Sequence, residues 1–319
     1  MIRAEKLSKY YGGKRALGPI SFEIDEGETV GFLGLNGAGK TTALRILACD
    51  LRPSGGTVAI GDVDAVARPQ KLKTHIGFLP EQPPVYNDMA VADYLAFAAR
   101  LRGVGSGEVK KRVDRAADIT QIADVKGELI RHLSHGYRQR VGVAQAVIHE
   151  PSLLILDEPT RGLDPVQIVE MRNMLRDLKT EHTVLISSHI LTEISETCDR
   201  LLVLGQGDII ASGSEEELSA GLLESTRLHV GVALAENTDP ADAKLCIEGV
   251  DEVTSVGDPE LDDGAHLFDV TTSSDARAEI VRALVRAGFD VVHLDRSRRE
   301  LEQIFLELVR GKGGEDAVH

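Results

Sequence analysis

The residues Gly34-Leu35-Asn36-Gly37-Ala38-Gly39-Lys40-Thr41 have the spacing GxxxxGK[ST] and lie between an apolar run, Glu28–Leu33, and a helix pattern, Thr41–Cys49. Glycines let a backbone curl round a phosphate group, and the amide N–H groups and following helix N-terminus supply positive potential. Lys40 is placed to bridge β- and γ-phosphate oxygens, and Thr41 to put its hydroxyl on Mg²⁺. Leu153-Leu154-Ile155-Leu156-Asp157-Glu158 is a second apolar run, ending in adjacent carboxylates. One acid at a strand end could merely cap a helix. Two beside a phosphate loop suit a division of labour: Asp157 holding the metal through its water shell, Glu158 polarising the attacking water. His189 closes a third apolar run, Thr183–Ser187. A lone histidine there is commonly structural, but strands preceding Gly34, Asp157 and His189 could share one crevice at their C-terminal ends. His189 is then placed to contact the γ-phosphate and orient the water. The residues describe ATP binding and hydrolysis.

These groups need a framework, and residues 1–210 supply one. Short β-branched and aliphatic runs, to which Ile76–Leu79 and Ser152–Leu156 also belong, alternate with helix patterns at Ala92–Leu101, Glu108–Ala123, Gly136–His149 and Pro165–Lys179. Buried parallel strands look like the former, and the alternation predicts an α/β layered domain. GQGDIIASG after Leu204 reads as a closing hairpin, followed by a short helix over Glu215–Leu222. Beyond it, strands are expected at Arg227–Val232, Asp251–Val256, His266–Thr271 and Asp290–Leu294. Helices are expected at Pro240–Ile247, Ser274–Ala287 and Arg299–Val309. In the second of these, Ile280, Val281, Leu284 and Val285 are expected on one face. The order βαββαβ suggests a ferredoxin-like module.

Charge divides the chain in the same way. The 319 residues carry a formal charge of -15, and the stretch from Gly221 onward, with 21 acids and 10 bases, carries -11 of it. A domain boundary near residue 220 is expected, giving segments 1–220 and 221–319. The acidic balance disfavours a general nucleic-acid binder. Cys49, Cys198 and Cys246 are isolated and lack zinc or disulfide spacing, which fits a reducing compartment. The residues 1–15 hold no signal-like apolar core, and no uncharged apolar run approaches the ~18 to 20 residues of a membrane span. Work at a membrane would then go through a partner.

Leu133-Ser134-His135-Gly136-Tyr137 precedes a helix for which Ser134 is a good N-cap; the same geometry is also an anion site, and the segment alone does not decide between them. In order, the phosphate loop, this segment, the acid pair, Gly162-Leu163-Asp164 and His189 resemble the motifs of the ATP-binding subunit of an ABC transporter. The resemblance covers about residues 2–220. It implies a P-loop ATPase domain with a helical subdomain, and ATP and Mg²⁺ as cofactors. Asn36, Gly37, Ala38, Gly39, Lys40, Thr41 and Thr42 become the expected phosphate contacts, and Tyr11 the ring stacked on adenine. It also implies a dimer of ATPase subunits, identical or different, arranged head to tail. In that dimer Ser134 and Gly136 of one subunit close over ATP held by the other.

Two motifs depart from the family pattern. The signature, usually LSGGQ, is LSHGY here, keeping Ser134 and Gly136. Where a glutamine usually follows the strand near Ile76, this chain has Glu81, whose carboxylate could still ligate Mg²⁺. Both departures resemble ATPases of ABC-2 type exporters, including gliding-motility-associated ones, as do LPEQPPVY and the final LEQIFLELV. The segment Glu81–Tyr94 would then face a transmembrane permease, its prolines stiffening a loop that transmits motion. The subunit would sit on the cytoplasmic face of the membrane, peripheral through that permease. A soluble ABC ATPase acting on nucleic acid or ribosomes is opposed by the single cassette and acidic charge. A P-loop kinase or GTPase is opposed by the Asp157-Glu158 pair, His189 and the absence of a guanine-recognition motif. For the C-terminal segment, thickening of the dimer contact is preferred over ligand sensing.

Overall fold

A computed structural model describes residues 1–195, 197–220, 226–234, 239–262 and 265–296. These residues cluster into two compact units, the first Met1–Glu215 and the second beginning at Glu216.

The first unit opens with strands β1 (Ile2–Tyr11), β2 (Lys14–Ile24) and β3 (Thr29–Gly34), then helix α1 (Lys40–Leu47). Next come β4 (Gly55–Ile60), β5 (Val63–Asp64), α2 (Pro69–Lys73) and β6 (Ile76–Leu79). Three helices follow, α3 (Val91–Leu101), α4 (Val109–Ile119) and α5 (His135–Val147). The unit closes with β7 (Leu153–Asp157), α6 (Pro165–Leu178), β8 (Thr183–Ser188), α7 (Leu191–Ile194), β9 (Arg200–Gly205) and β10 (Asp208–Gly213).

Its larger sheet has the order β10-β9-β3-β8-β7-β6, parallel throughout except for the β9–β10 hairpin. β3, β7 and β8 are buried at every position, as strands covered on both faces must be. The three strands ending at Gly34, Asp157 and Ser188 are neighbours, so the loops after them open at one sheet end. A second, antiparallel sheet, β2-β1-β4-β5, was not among the expected strands. Its apolar positions Ile2, Ala4, Leu7, Leu17, Ile20, Phe22 and Ile24 join the core around α1. Register shifts break the simple alternation in β1, while β2 keeps it over Ile20, Phe22 and Ile24.

α3, α4 and α5 pack on one another as a helical subdomain. In α4 the buried residues Val109, Val113, Ala116 and Ala117 form the stripe a 3.6-residue period requires. α5 is buried along most of its length and closes on β6, because Gly77 has no side chain to strike the Ala146 carbonyl.

In the second unit, α8 (Glu215–Ala220) leads into β11 (Thr226–Ala233), α9 (Pro240–Glu248), β12 (Val253–Val256), β13 (Glu260–Asp262), β14 (Ala265–Thr272), α10 (Arg277–Arg286) and β15 (Asp290–Arg296). The sheet order β12-β14-β11-β15 with antiparallel neighbours is the expected ferredoxin-like arrangement, with β13 added beside β14. Leu228, Val230, Val232, Phe268 and Val270 face Ala243, Ile247, Ala276, Ile280 and Leu284 in its core. Val285, expected on the buried face of α10, is 59% exposed instead. The stripe runs through Ala276, Ile280 and Leu284 at intervals of four, and one residue further turns about 100° away. The helix expected over Arg299–Val309 lies outside the described residues.

Candidate functional site

At the C-terminal end of β3 the chain turns through Gly37 (φ 85°) and Gly39 (φ 104°) into α1. Both angles are left-handed and strained for any residue with a Cβ, and a Cβ at Gly39 would also lie 2.7 Å from the Ala16 carbonyl oxygen. The loop therefore presents backbone amides and the start of α1 to a cavity of about 560 Å³. Asn36, Gly37, Ala38, Gly39, Lys40, Thr41 and Thr42 all line it, together with Tyr11, Glu81, Glu158 and His189. Lys14, Arg15 and Arg161, which the motif reading did not single out, complete the wall. Tyr11 is half-exposed, with the Lys9 ammonium 5.3 Å from its ring centroid. Arg15 is held by Asp208 at 2.9 Å and by the Gln206 carbonyl at 3.1 Å.

Lys40 is almost fully buried. Its ammonium donates to the Gly34 carbonyl at 2.6 Å and lies 3.3 Å from Glu158 Oε1. The other Glu158 oxygen accepts a hydrogen bond from His189 Nδ1 at 2.7 Å. Glu158 thus joins the phosphate loop to the end of β8. Its backbone is left-handed (φ 51°), a conformation costing a non-glycine residue roughly 1 to 2 kcal/mol. Three bonds hold it there. The Glu158 N–H donates to Ser187 Oγ at 2.9 Å, and its carbonyl accepts from Gln139 Nε2 at 3.5 Å and from the Arg161 N–H at 3.1 Å.

Asp157 ends β7 with no solvent exposure. Burial pushes its carboxyl above the usual carboxylate range, opposed by the hydroxyls of Ser187 and Thr41 and by the Lys40 ammonium. Oδ1 accepts from Ser187 Oγ at 2.6 Å, whereas buried Oδ2 has no donor in bonding geometry. An orphaned carboxylate oxygen beside a threonine hydroxyl fits a hard divalent cation. Among the described residues no cluster of three or more His, Cys, Asp or Glu side chains could hold a metal. Asp157 Oδ2 and the Thr41 hydroxyl suit an ion such as Mg²⁺, which takes one or two protein oxygens plus phosphate and water.

Glu81 stands on the cavity wall, where its carboxylate is ion-paired with Arg161. Ser134 and Gly136 are not brought to the phosphate loop within the chain, and neither lines its cavity. Ser134 is the N-cap of α5, its Oγ accepting the Tyr137 N–H at 3.3 Å. Gly136 is buried against α6, where an added Cβ would lie 2.6 Å from Gln167 Oε1. His135 Nε2–H donates to the Arg161 carbonyl at 2.8 Å, and the Tyr137 hydroxyl to Asp124 at 2.9 Å.

Sequence reasoning missed Ser187, although its place two residues before His189 was a usable signal. It also missed Glu193, which accepts from Thr160 Oγ1 at 2.6 Å and Ser188 Oγ at 3.0 Å and so ties the turn after Glu158 to the loop bearing His189. Nothing in the local sequence announces that contact.

The ABC transporter family model matches residues 17–161. The chain is 31% identical over 316 residues to the bacitracin transport ATP-binding protein BcrA of Enterococcus faecalis, covering 98% of this chain and 97% of that protein. It is 32% identical to the daunorubicin resistance ATP-binding protein DrrA3 of Streptomyces coeruleorubidus, covering 96% and 95%. The solved structure of cbiO1 from Clostridium perfringens, part of the ABC transporter complex cbiONQ, superimposes with a TM-score of 0.62 at 31% identity, covering 69% of this chain and 93% of that one. With the phosphate loop, acid pair and histidine assembled round one cavity, these likenesses show that the chain belongs to the ATP-binding subunits of ABC transporters.

Proposed function

We propose that this subunit is the Mg²⁺-ATP-driven motor of an exporter, with Glu158 as the group that polarises the attacking water. One observation carries the reading: the Glu158 carboxylate spans Lys40, at 3.3 Å, and His189, at 2.7 Å, on the wall of the phosphate-loop cavity. The amides of Gly37–Lys40 and the N-terminus of α1 bind the phosphates, and Lys40 brings a cation to their oxygens. Thr41 and Asp157 hold Mg²⁺, which neutralises phosphate charge when bound. Glu158 accepts a proton from water, and His189 fixes the carboxylate's orientation and stands next to the γ-phosphate. Tyr11 stacks on adenine.

The phosphate loop is half of this site. Ser134 is exposed at the N-terminus of α5 and Gly136 lies two residues on, buried beneath Gln167, both away from their own loop, which suits completion of a second subunit's site in a head-to-tail dimer. A homodimer is the simplest arrangement, and the second unit would thicken its contact. No described helix is long and apolar enough to cross a membrane. In this reading a permease supplies the path and the substrate specificity, and this subunit sits against it at the cytoplasmic face. The segment Glu81–Tyr94 suits that contact: Tyr86 is 56% exposed, its ring edge-on to Tyr94 and Phe97, while Tyr94 pins the segment through the Pro84 carbonyl at 2.8 Å. The lean to export rests on the bacitracin transport and daunorubicin resistance relatives.

The test is Glu158→Gln. It should leave ATP affinity intact, abolish turnover and trap an ATP-bound dimer visible by size-exclusion chromatography. Turnover near the wild-type rate refutes the assignment.

A further inference from the structure

Two of the three residues that depart from the family motifs, Glu81 and His135, bond to one residue, Arg161; the third, Tyr137, bonds Asp124. The Arg161 guanidinium pairs with the Glu81 carboxylate, and its carbonyl accepts from His135 Nε2–H at 2.8 Å. Its own N–H donates to the Glu158 carbonyl at 3.1 Å. Arg161 therefore has one bond to each of three segments: the proline-rich stretch after β6, the start of α5 and the turn leaving β7. Two further contacts tighten this junction. An added Cβ at Gly142 of α5 would lie 2.9 Å from Pro83, so the proline stretch rests directly on α5. Gly162, left-handed at φ 72°, brings the turn so close that an added Cβ would lie 3.0 Å from His135 Nε2.

The ion pair is open to solvent, with side chains 58% and 37% exposed, and pairs of that kind contribute about 0 to 1 kcal/mol to stability. Stability does not account for a residue that ties three functional segments together. We propose that Arg161 is a positioning residue, which sets Glu158 and the α5 N-terminus according to where the Glu81 segment stands. A shift of that segment, as a permease would impose, is then carried through the Glu81–Arg161 pair to the turn holding Glu158 and through the Arg161 carbonyl to His135. This rests on the reading of Glu158 as the water-polarising group.

The test uses the full chain carrying Arg161→Ala, Glu81→Ala, or the swap Glu81→Arg with Arg161→Glu. Each alanine variant should lower kcat roughly tenfold while KM for ATP stays within about twofold. Affinity for a fluorescent ATP analogue without Mg²⁺ and the unfolding temperature should both stay at wild-type values. The swap should recover most of the lost kcat, which a metal-ligating role for Glu81 could not produce. Wild-type kcat in Arg161→Ala, a rise in KM alone, or a swap no better than the single variants overturns the proposal. Normal turnover in Glu158→Gln would instead remove the underlying reading, whatever the Arg161 variants do.

Discussion

Ser187 Oγ stands 2.6 Å from Asp157 Oδ1, and the same oxygen accepts the Glu158 N–H at 2.9 Å. One hydroxyl thus orients the buried carboxylate and pins the left-handed backbone of its neighbour. Ser187→Ala removes both bonds, so Asp157 Oδ1 loses its serine donor. A hydrogen bond to a charged buried group contributes about 1.5 to 3 kcal/mol. Turnover should fall roughly tenfold or more, with a higher Mg²⁺ requirement and little change in ATP affinity. Steady-state kinetics at graded Mg²⁺ would check this, and unchanged kcat and Mg²⁺ dependence would show the hydroxyl to be idle.

The part of this site legible in the sequence is the part whose residue types are dictated by local backbone. Gly37 and Gly39 must be glycine because the loop is left-handed there, and Lys40 and Thr41 follow in the same turn. The buried strands were legible because burial on both faces leaves an uninterrupted apolar run, as in Leu153–Leu156. β1 and β2 were not. Both are half-buried; in β1, shifts between Ala4 and Leu7 and again near Lys9 put the apolar residues out of step with a simple alternation, whereas in β2 the alternation Ile20, Phe22, Ile24 was a usable signal that the reading missed. Glu81 could be found as a departure from a motif, but its pairing with Arg161 arises only when β6 and β7 lie side by side.

If Ser134 acts on a neighbour's nucleotide, two dead variants should rescue each other. Lys40→Ala removes the phosphate contact and Ser134→Ala the contact from α5. Mixed dimers then contain one site with an intact loop and an intact α5. An equimolar mixture should regain about a quarter of wild-type ATPase activity, since half the dimers are mixed and half their sites are whole. Either variant alone should stay inactive. A mixture as inactive as its components would place Ser134 back in its role as a helix cap.

His149 sets an acid limit on the fold. Its Nε2–H donates to the Ile76 carbonyl at 3.1 Å, while buried Nδ1 has no partner. Burial pushes its pKa down from 6.5 to about 4, helped by the charge of Arg102 and by the nearby His182 and His75. Because the folded value is depressed, its contribution to stability is complete above the unfolded value near 6.5. It falls as pH drops towards 4, because the unfolded chain takes up the proton first. The full loss approaches about 3 kcal/mol at the acid end. His149→Gln should flatten the dependence of unfolding temperature on pH between 6.5 and 4, and an unchanged slope would assign that limit to other groups.

Tyr86 offers the most direct test of where the permease docks. Its ring is 56% exposed yet held edge-on to Tyr94 at 6.0 Å and Phe97 at 5.7 Å, so an apolar surface is presented in a fixed orientation. Aromatic groups of this kind commonly dominate the energy of an interface. Tyr86 does not line the phosphate cavity, so Tyr86→Ser should leave the ATPase activity of the isolated subunit within about twofold. Co-purification with a protein of several membrane spans should fall sharply in the same variant. Undiminished capture of that protein would move the docking surface elsewhere. Loss of isolated activity would instead show that the Tyr86 cluster supports the Glu81 segment from within.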